Sequence, residues 1–277
     1  MMRLLLFFVL LWTPAWALAG DTPALQLRGH FTPGGLVRGQ VEPGSTVSLD
    51  GAPLLVDGEG RFTFGFDRDA AGQSSLVVRY PDGREETHTL KLKPREYQIQ
   101  RINGLPPKMV TPDQETLTRI GEESARLKAA RRHVSSIAGF WQDFQWPAQG
   151  PISGVFGSQR VLNGEPRSPH NGLDIAAARG TPVVAPAAGI VRLAVTDYYY
   201  TGGTVVLDHG HGLSSVYVHL DRVDVTEGAE LAAGDVIGAV GATGRVTGPH
   251  LHWGVNWGDA RLDPALLLSP ETATTLP

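Results

Sequence analysis

Hydrophobic and polar residues alternate in short runs through most of this chain, and turn residues cut the runs at close intervals. Leu36-Val37-Arg38-Gly39-Gln40-Val41 stops at Glu42-Pro43-Gly44, and Thr46-Val47-Ser48-Leu49 stops at Asp50-Gly51. Asp-Gly recurs at Asp57-Gly58 and Asp82-Gly83, a dipeptide that supplies the positive φ values of tight hairpins. Arg61-Phe62-Thr63-Phe64-Gly65-Phe66 sets aromatic side chains against polar or small ones at the period of a half-buried strand. These runs predict a small β-sandwich, immunoglobulin-like in character, over residues 20–93. It carries no titratable cluster, so the expectation is scaffolding or binding rather than chemistry.

The period changes after Lys93. Pro94 to Val110 reads as extended, because Pro106-Pro107 limits helix formation. Thr111-Pro112-Asp113-Gln114 then combines an N-cap hydroxyl, a proline at the first helical position and a glutamine that can complete a capping box. Leu117, Ile120, Leu127, Ala130 and Val134 fall on one broad helical face, while Glu122 and Arg126 are spaced to pair on another. Residues 94–148 are therefore expected to form a connector whose amphipathic helix packs on a neighbouring domain, with a partner-binding helix as the alternative.

Residues 149–268 return to strands and glycine turns, at Gly189 to Val195, Gly203 to Asp208, Leu213 to His219 and Asp235 to Val240. The expectation is a mainly β protein whose C-terminal domain is an antiparallel, barrel-like sheet, followed by a tail over 269–277. Strict alternation in Ser214 to His219 places Ser215, Tyr217 and His219 on one face.

Composition narrows the class. Residues 1–19 begin with one positive charge at Arg3, run apolar from Leu4 to Trp12 and close on Ala17-Leu18-Ala19, the pattern of a cleaved secretory signal. The apolar run is about half of the ~20 residues that span a bilayer, so an uncleaved anchor is the weaker reading and no stable membrane span is expected after cleavage. A formal net charge of −4 with only four lysines gives no basic field for phosphate backbones, which argues against nucleic acid. There are no cysteines, so disulfides are excluded and any metal must be held by nitrogen and oxygen.

Six of the nine histidines lie in the C-terminal half. In Gly248-Pro249-His250-Leu251-His252-Trp253, strand alternation points His250 and His252 the same way. In Pro169-His170-Asn171-Gly172-Leu173-Asp174, the spacing puts His170 and Asp174 on one face of an extended segment. Three histidines and a carboxylate could converge on one metal, and the pair of motifs can supply the three protein ligands that a hydrolytic zinc centre needs. His209 and His211 sit in Asp208-His209-Gly210-His211-Gly212, a turn composition, and are read as structural.

These blocks resemble the zinc peptidases of the lysostaphin and LytM type, the M23 family. The resemblance runs through Phe156-Gly157-Ser158-Gln159-Arg160, Pro169 to Asp174, Gly180-Thr181-Pro182-Val183-Val184-Ala185-Pro186, Tyr217 to His219 and Gly244 to His252, and covers about residues 149–267. It implies one Zn2+ per catalytic domain held by His170, Asp174 and His252, with His219 and His250 beside it as the catalytic pair. It also implies a substrate groove bordered by the loop of Tyr198, Tyr199 and Tyr200. Arg160 and Asn163 are candidates for contact with a substrate carboxylate or backbone, with a turn-stabilising role as the equal alternative. The implied activity is endopeptidase cleavage of peptidoglycan stems or cross-links, those containing D-alanine and diaminopimelate being favoured. The implied setting is the periplasm of a Gram-negative bacterium, where a regulatory protein partner fits.

The competing class is a non-catalytic LytM-type activator of a wall amidase, but such members resemble the fold while lacking metal ligands that this chain retains. A biotinyl or lipoyl carrier would need a modifiable lysine, and none follows Lys128.

Overall fold

Two four-stranded antiparallel sheets enclose the first core. One contains β1 (Leu25–Gly29), β2 (Leu36–Val41) and β5 (Arg61–Gly65); the other contains β3 (Thr46–Leu49), β4 (Ala52–Leu54), β6 (Gln73–Arg79) and β7 (Glu85–Lys91). Val37, Phe62 and Phe64 from the first sheet meet Val47, Leu76 and Val78 from the second, all almost fully buried. Each such side chain contributes about 1.5–3 kcal/mol of transfer free energy. The computed structural model describes residues 25–103, 112–268 and 272–274. The apolar leader, Pro106, Pro107 and Thr111 therefore lie outside the described residues. Thr272–Thr274, within the expected tail, adds an antiparallel edge strand to β1.

The connector is more ordered than its composition suggests. Its β8 (Ile99–Ile102) runs parallel to β10 (Gln159–Leu162), with Ile99 opposite Gln159 and Ile102 opposite Leu162. β10 turns back to β11 (Glu165–Pro166) through Asn163 and Gly164, at φ 49 and 87, the two positive values that an Asn-Gly hairpin requires. Helix α1 (Gln114–Arg131) follows. Its cap is Asp113, whose carboxylate accepts the Thr116 amide at 2.8 Å; a carboxylate is the stronger cap, and it displaces the start beyond the threonine expected from sequence. Leu127 and Ala130 pack on the C-terminal sheet, but Leu117 is 45% exposed and Val134 58%. The expected Glu122 partnership also gives way, because Arg126 reaches instead toward Glu227 at 3.8 Å.

The C-terminal sheet is antiparallel along its main path, β17 (Glu230–Leu231), β14 (Gly189–Tyr198), β15 (Gly202–Gly210), β16 (Leu213–Val223), β19 (His250–Trp257), β12 (Leu173–Ala176) and β9 (Ile152–Gly154). The short β13 (Pro182–Val184) pairs with β18 (Val236–Val240), which also joins β16, and β20 (Ala260–Leu262) joins β19. One face builds the main core from Leu207, Tyr217, Leu251, Trp253 and Val255. The other carries a smaller cluster of Leu193, Tyr198, Val206, Val216 and Val218 under α1.

Arginines fasten the two units. Arg38, 1% exposed on β2, donates to the carbonyls of Phe140 and Gln142 at 2.8 Å each, which fixes the 3-10 turn Ala138–Trp141. Arg68 donates to Gly157 O, and Arg95 pairs with Asp263 at 2.6 Å.

Candidate metal centre

Sheet register brings the motif residues together. Asp174 on β12 lies opposite His252 on β19, and Ala176 lies opposite His250. Facing pairs share a side of the sheet, so Asp174, His250 and His252 project together while Leu251 and Trp253 enter the main core. His170 reaches the same point from the loop before β12.

Three donor atoms form a tight triangle. His170 Nε2 lies 2.9 Å from Asp174 Oδ1 and 2.9 Å from His252 Nδ1, and His252 Nδ1 lies 2.7 Å from Asp174 Oδ1. These are the His, Asp and His ligand atoms among the described residues that can hold a metal ion. The protonation pattern supports that use. His170 Nδ1 donates to the Val155 carbonyl at 3.0 Å, which can only accept, so in the neutral ring Nε2 is the nitrogen that can take a cation. Two imidazoles and a carboxylate are the donor set of zinc-like centres.

The surroundings are shaped for this cluster. A Cβ added to Gly154, the cross-strand neighbour of Asp174, would stand 2.3 Å from Asp174 Oδ2, and one added to Gly172 would stand 2.7 Å from the His252 ring. Arg160 holds the second carboxylate oxygen, Oδ2, at 3.2 Å, leaving Oδ1 turned to the histidines. Burial alone would raise the Asp174 carboxyl, but hydrogen bonds from His170 and His252 outweigh it and hold the group well below the usual carboxylate range. Burial pushes His252 down to about 4 despite its carboxylate neighbour, which favours the neutral ring that metal ligation needs.

His219 and His250 complete the face. Their ring centroids are 4.9 Å apart, and His219 is 6.4 Å from His252. Each is oriented by a backbone carbonyl: His219 Nδ1 donates to Thr243 O at 2.9 Å and His250 Nδ1 to Gly248 O at 2.9 Å, so both Nε2 atoms carry lone pairs. Burial, then the closeness of the His250 and His252 imidazoles, which disfavours a charge on its ring, pushes His219 down to about 3.

His219 departs from the expected alternation. Tyr217 faces the main core opposite Trp253, whereas His219 adopts φ 67 and turns its ring to the face of His252. Tyr217 instead ends a buried chain on the opposite face. His209 Nδ1 donates to Ala188 O at 2.8 Å, its Nε2 accepts from Ser215 Oγ at 2.7 Å, and Ser215 accepts from Tyr217 OH at 2.7 Å. Burial pushes His209 down to about 4 and the Tyr217 phenol well above its usual value. His211 is also buried, stacked on Phe140 at 3.9 Å.

The remaining candidates separate. Tyr198 is 7% exposed and belongs to the cluster under α1, while Tyr199 and Tyr200 are half-buried with centroids 5.1 Å apart. Asn163 stands exposed at its hairpin tip. Sequence reasoning missed the carbonyls of Val155, Thr243 and Gly248, which orient three imidazoles but have no side-chain signature. It also missed Arg245, whose guanidinium lies 4.1 Å over the Tyr200 ring.

Residues 168–264 match the model of Peptidase family M23. A crystal structure from Pseudomonas aeruginosa assigned to peptidase M23 shares 34% identity at a TM-score of 0.67, over 86% of this chain and 95% of that one. The chain belongs to peptidase family M23. Among curated relatives, the peptidoglycan DD-endopeptidase ShyA of Vibrio cholerae serotype O1 is 43% identical over 86 residues, which is 31% of this chain and 20% of ShyA. The DD-carboxypeptidase/endopeptidase Mpg of Neisseria meningitidis serogroup B is 38% identical over 106 residues, 38% of this chain and 24% of Mpg. The match thus spans a fifth to a quarter of the length of these two relatives.

Proposed function

We propose that the protein is a zinc-dependent endopeptidase acting on the peptide stems or cross-links of bacterial peptidoglycan. The observation that carries this reading is the His170, Asp174 and His252 triangle with two further imidazole lone pairs beside it. His170 Nε2, Asp174 Oδ1 and His252 Nδ1 would hold the ion. When bound, zinc polarises the scissile carbonyl and acidifies water.

This chain's own residues supply the proton handling. His219 and His250 each keep Nδ1–H on a carbonyl and Nε2 open, so the pair takes a proton from the attacking water and returns one to the leaving amine. Tyr199, Tyr200 and Arg160 are the proposed substrate-contact side chains, with Asn163 at the outer rim; Tyr198 supports the turn from beneath. The names of the relatives, a peptidoglycan DD-endopeptidase for ShyA and a DD-carboxypeptidase/endopeptidase for Mpg, both from Gram-negative bacteria, support a peptide bond of peptidoglycan as the target and export as the setting; the D-alanine to diaminopimelate cross-link and the periplasm are our own finer reading. Among the described residues no helix is long and apolar enough to cross a membrane.

Metal analysis and mass spectrometry of digested muropeptides test the proposal. The expected result is one zinc per chain and hydrolysis at the D-alanine to diaminopimelate amide. A zinc-loaded protein that leaves every stem and cross-link intact would refute it.

A further inference from the structure

Helix α1 grips the turn on which His219 rests. Glu123 Oε2 accepts the Tyr199 amide at 2.8 Å, and Arg119 donates to the Asp197 carbonyl at 2.6 Å while pairing with Glu123 Oε1 at 2.6 Å. Between those two points, Tyr198 inserts its ring into the cluster under Leu127 and Ala130. The turn is thus bonded on both sides of a buried anchor. Its next residues reach the catalytic face: the Tyr200 carbonyl accepts the Arg245 amide at 2.9 Å, and the Thr201 carbonyl accepts the His219 amide at 2.8 Å.

That last bond bears on geometry. His219 sits at φ 67, a conformation that persists only where its surroundings over-determine it. Its ring is fixed by Thr243 O and its main chain by Thr201 O. An exposed ion pair such as Arg119 with Glu123 contributes little by itself. The bond from Glu123 to the Tyr199 amide is different in kind, because it fixes backbone rather than another mobile side chain.

We propose that Glu123 is a positioning residue for His219, acting through the Tyr199 to Thr201 turn, so that the connector helix sets the working geometry of the catalytic face. The inference rests on the reading of His219 as one of the catalytic pair. It places a determinant of turnover outside residues 168–264, the segment that the family model matches.

The test uses the zinc-loaded full chain with Glu123→Ala, Glu123→Gln and the exposed control Glu122→Ala. Amide hydrogen exchange at Tyr199 and His219 is read beside zinc content, kcat and KM on a cross-linked muropeptide. Glu123→Ala is expected to speed exchange at both amides at least about tenfold and to lower kcat about 10- to 100-fold, with zinc unchanged and any change in KM, through the neighbouring Tyr199 and Tyr200, smaller than the loss in kcat. Glu123→Gln, which keeps an acceptor oxygen, is expected to restore most of both, and Glu122→Ala to match the parent. Unchanged His219 exchange in Glu123→Ala, unchanged kcat, or a rise in KM alone overturns the proposal. If the parent hydrolyses nothing while Glu123→Ala still loosens His219, the endopeptidase reading falls and the link from helix to histidine stands.

Discussion

His170 Nε2 and Asp174 Oδ1 face each other at 2.9 Å, while His170 Nδ1 is held on the Val155 carbonyl at 3.0 Å. Binding a cation between them must stabilise the fold by mass action, by about 2.7 kcal/mol at a hundredfold excess over Kd. Calorimetry should show a zinc-dependent rise in Tm that chelation reverses and His170→Ala abolishes. An equal rise in His170→Ala would place the ion elsewhere.

Ligand and proton-handling roles should separate under substitution. His170→Ala and Asp174→Ala are expected to lose zinc and activity together, whereas His250→Ala keeps most of its zinc and loses about 10²–10⁴-fold in turnover. Metal analysis beside muropeptide kinetics checks this, and loss of zinc in His250→Ala but not in His252→Ala would reverse the assignment.

Gly154 should be intolerant of even one methyl group. Its virtual Cβ lies 2.3 Å from Asp174 Oδ2, so Gly154→Ala must displace the carboxylate from both Arg160 and the histidines. Zinc affinity is expected to fall about 10- to 100-fold, as for disturbed supporting shells. Competition against a chromophoric chelator measures it; unchanged affinity would show that β9 yields freely.

Stability should fall on mild acidification, partly through His209. Its folded pKa of about 4 lies below the ordinary 6.5, so the unfolded chain binds a proton that the folded chain refuses. Stability therefore rises with pH across that window and is lost as pH drops from 6.5 towards 4, by up to about 3 kcal/mol for this group. His219 and His252 act with the same sign, so the measurement is the difference in urea midpoints between the metal-free parent and His209→Gln. Parallel pH profiles would exclude His209 as a contributor.

Arg38 should couple the sandwich to the C-terminal sheet. Arg38→Met strands the Phe140 and Gln142 carbonyls, at an expected cost of about 3 kcal/mol. Denaturant unfolding checks the value, and a change below about 0.5 kcal/mol would mark the contact as ordinary surface.

The clustering of the candidate metal-site residues was legible because each motif uses a local periodicity that survives folding: His250 and His252 alternate as a strand requires, and His170 and Asp174 converge across one loop. The small sandwich was legible for the same reason, through Phe62 and Phe64. His219 was misplaced beside Tyr217 because period two assumes a regular backbone, and a single positive φ reverses the face. The pairing of β8 with β10 had no local signal, since a parallel contact between residues sixty apart is decided by neighbours rather than by either segment. Glu123 was overlooked for Glu122 because its partner is a backbone amide from a distant turn.

The left-handed backbone at His219 bears on how knockouts there are to be read. Alanine at that position removes the imidazole and also puts a residue ill-suited to φ 67 where histidine is tolerated, so its lost activity would mix two causes. Asparagine accepts the same conformation while removing the ring and its anchor on Thr243 O. The ratio of the two variants' rates would then put a number on what the main chain, rather than the side chain, contributes at that point.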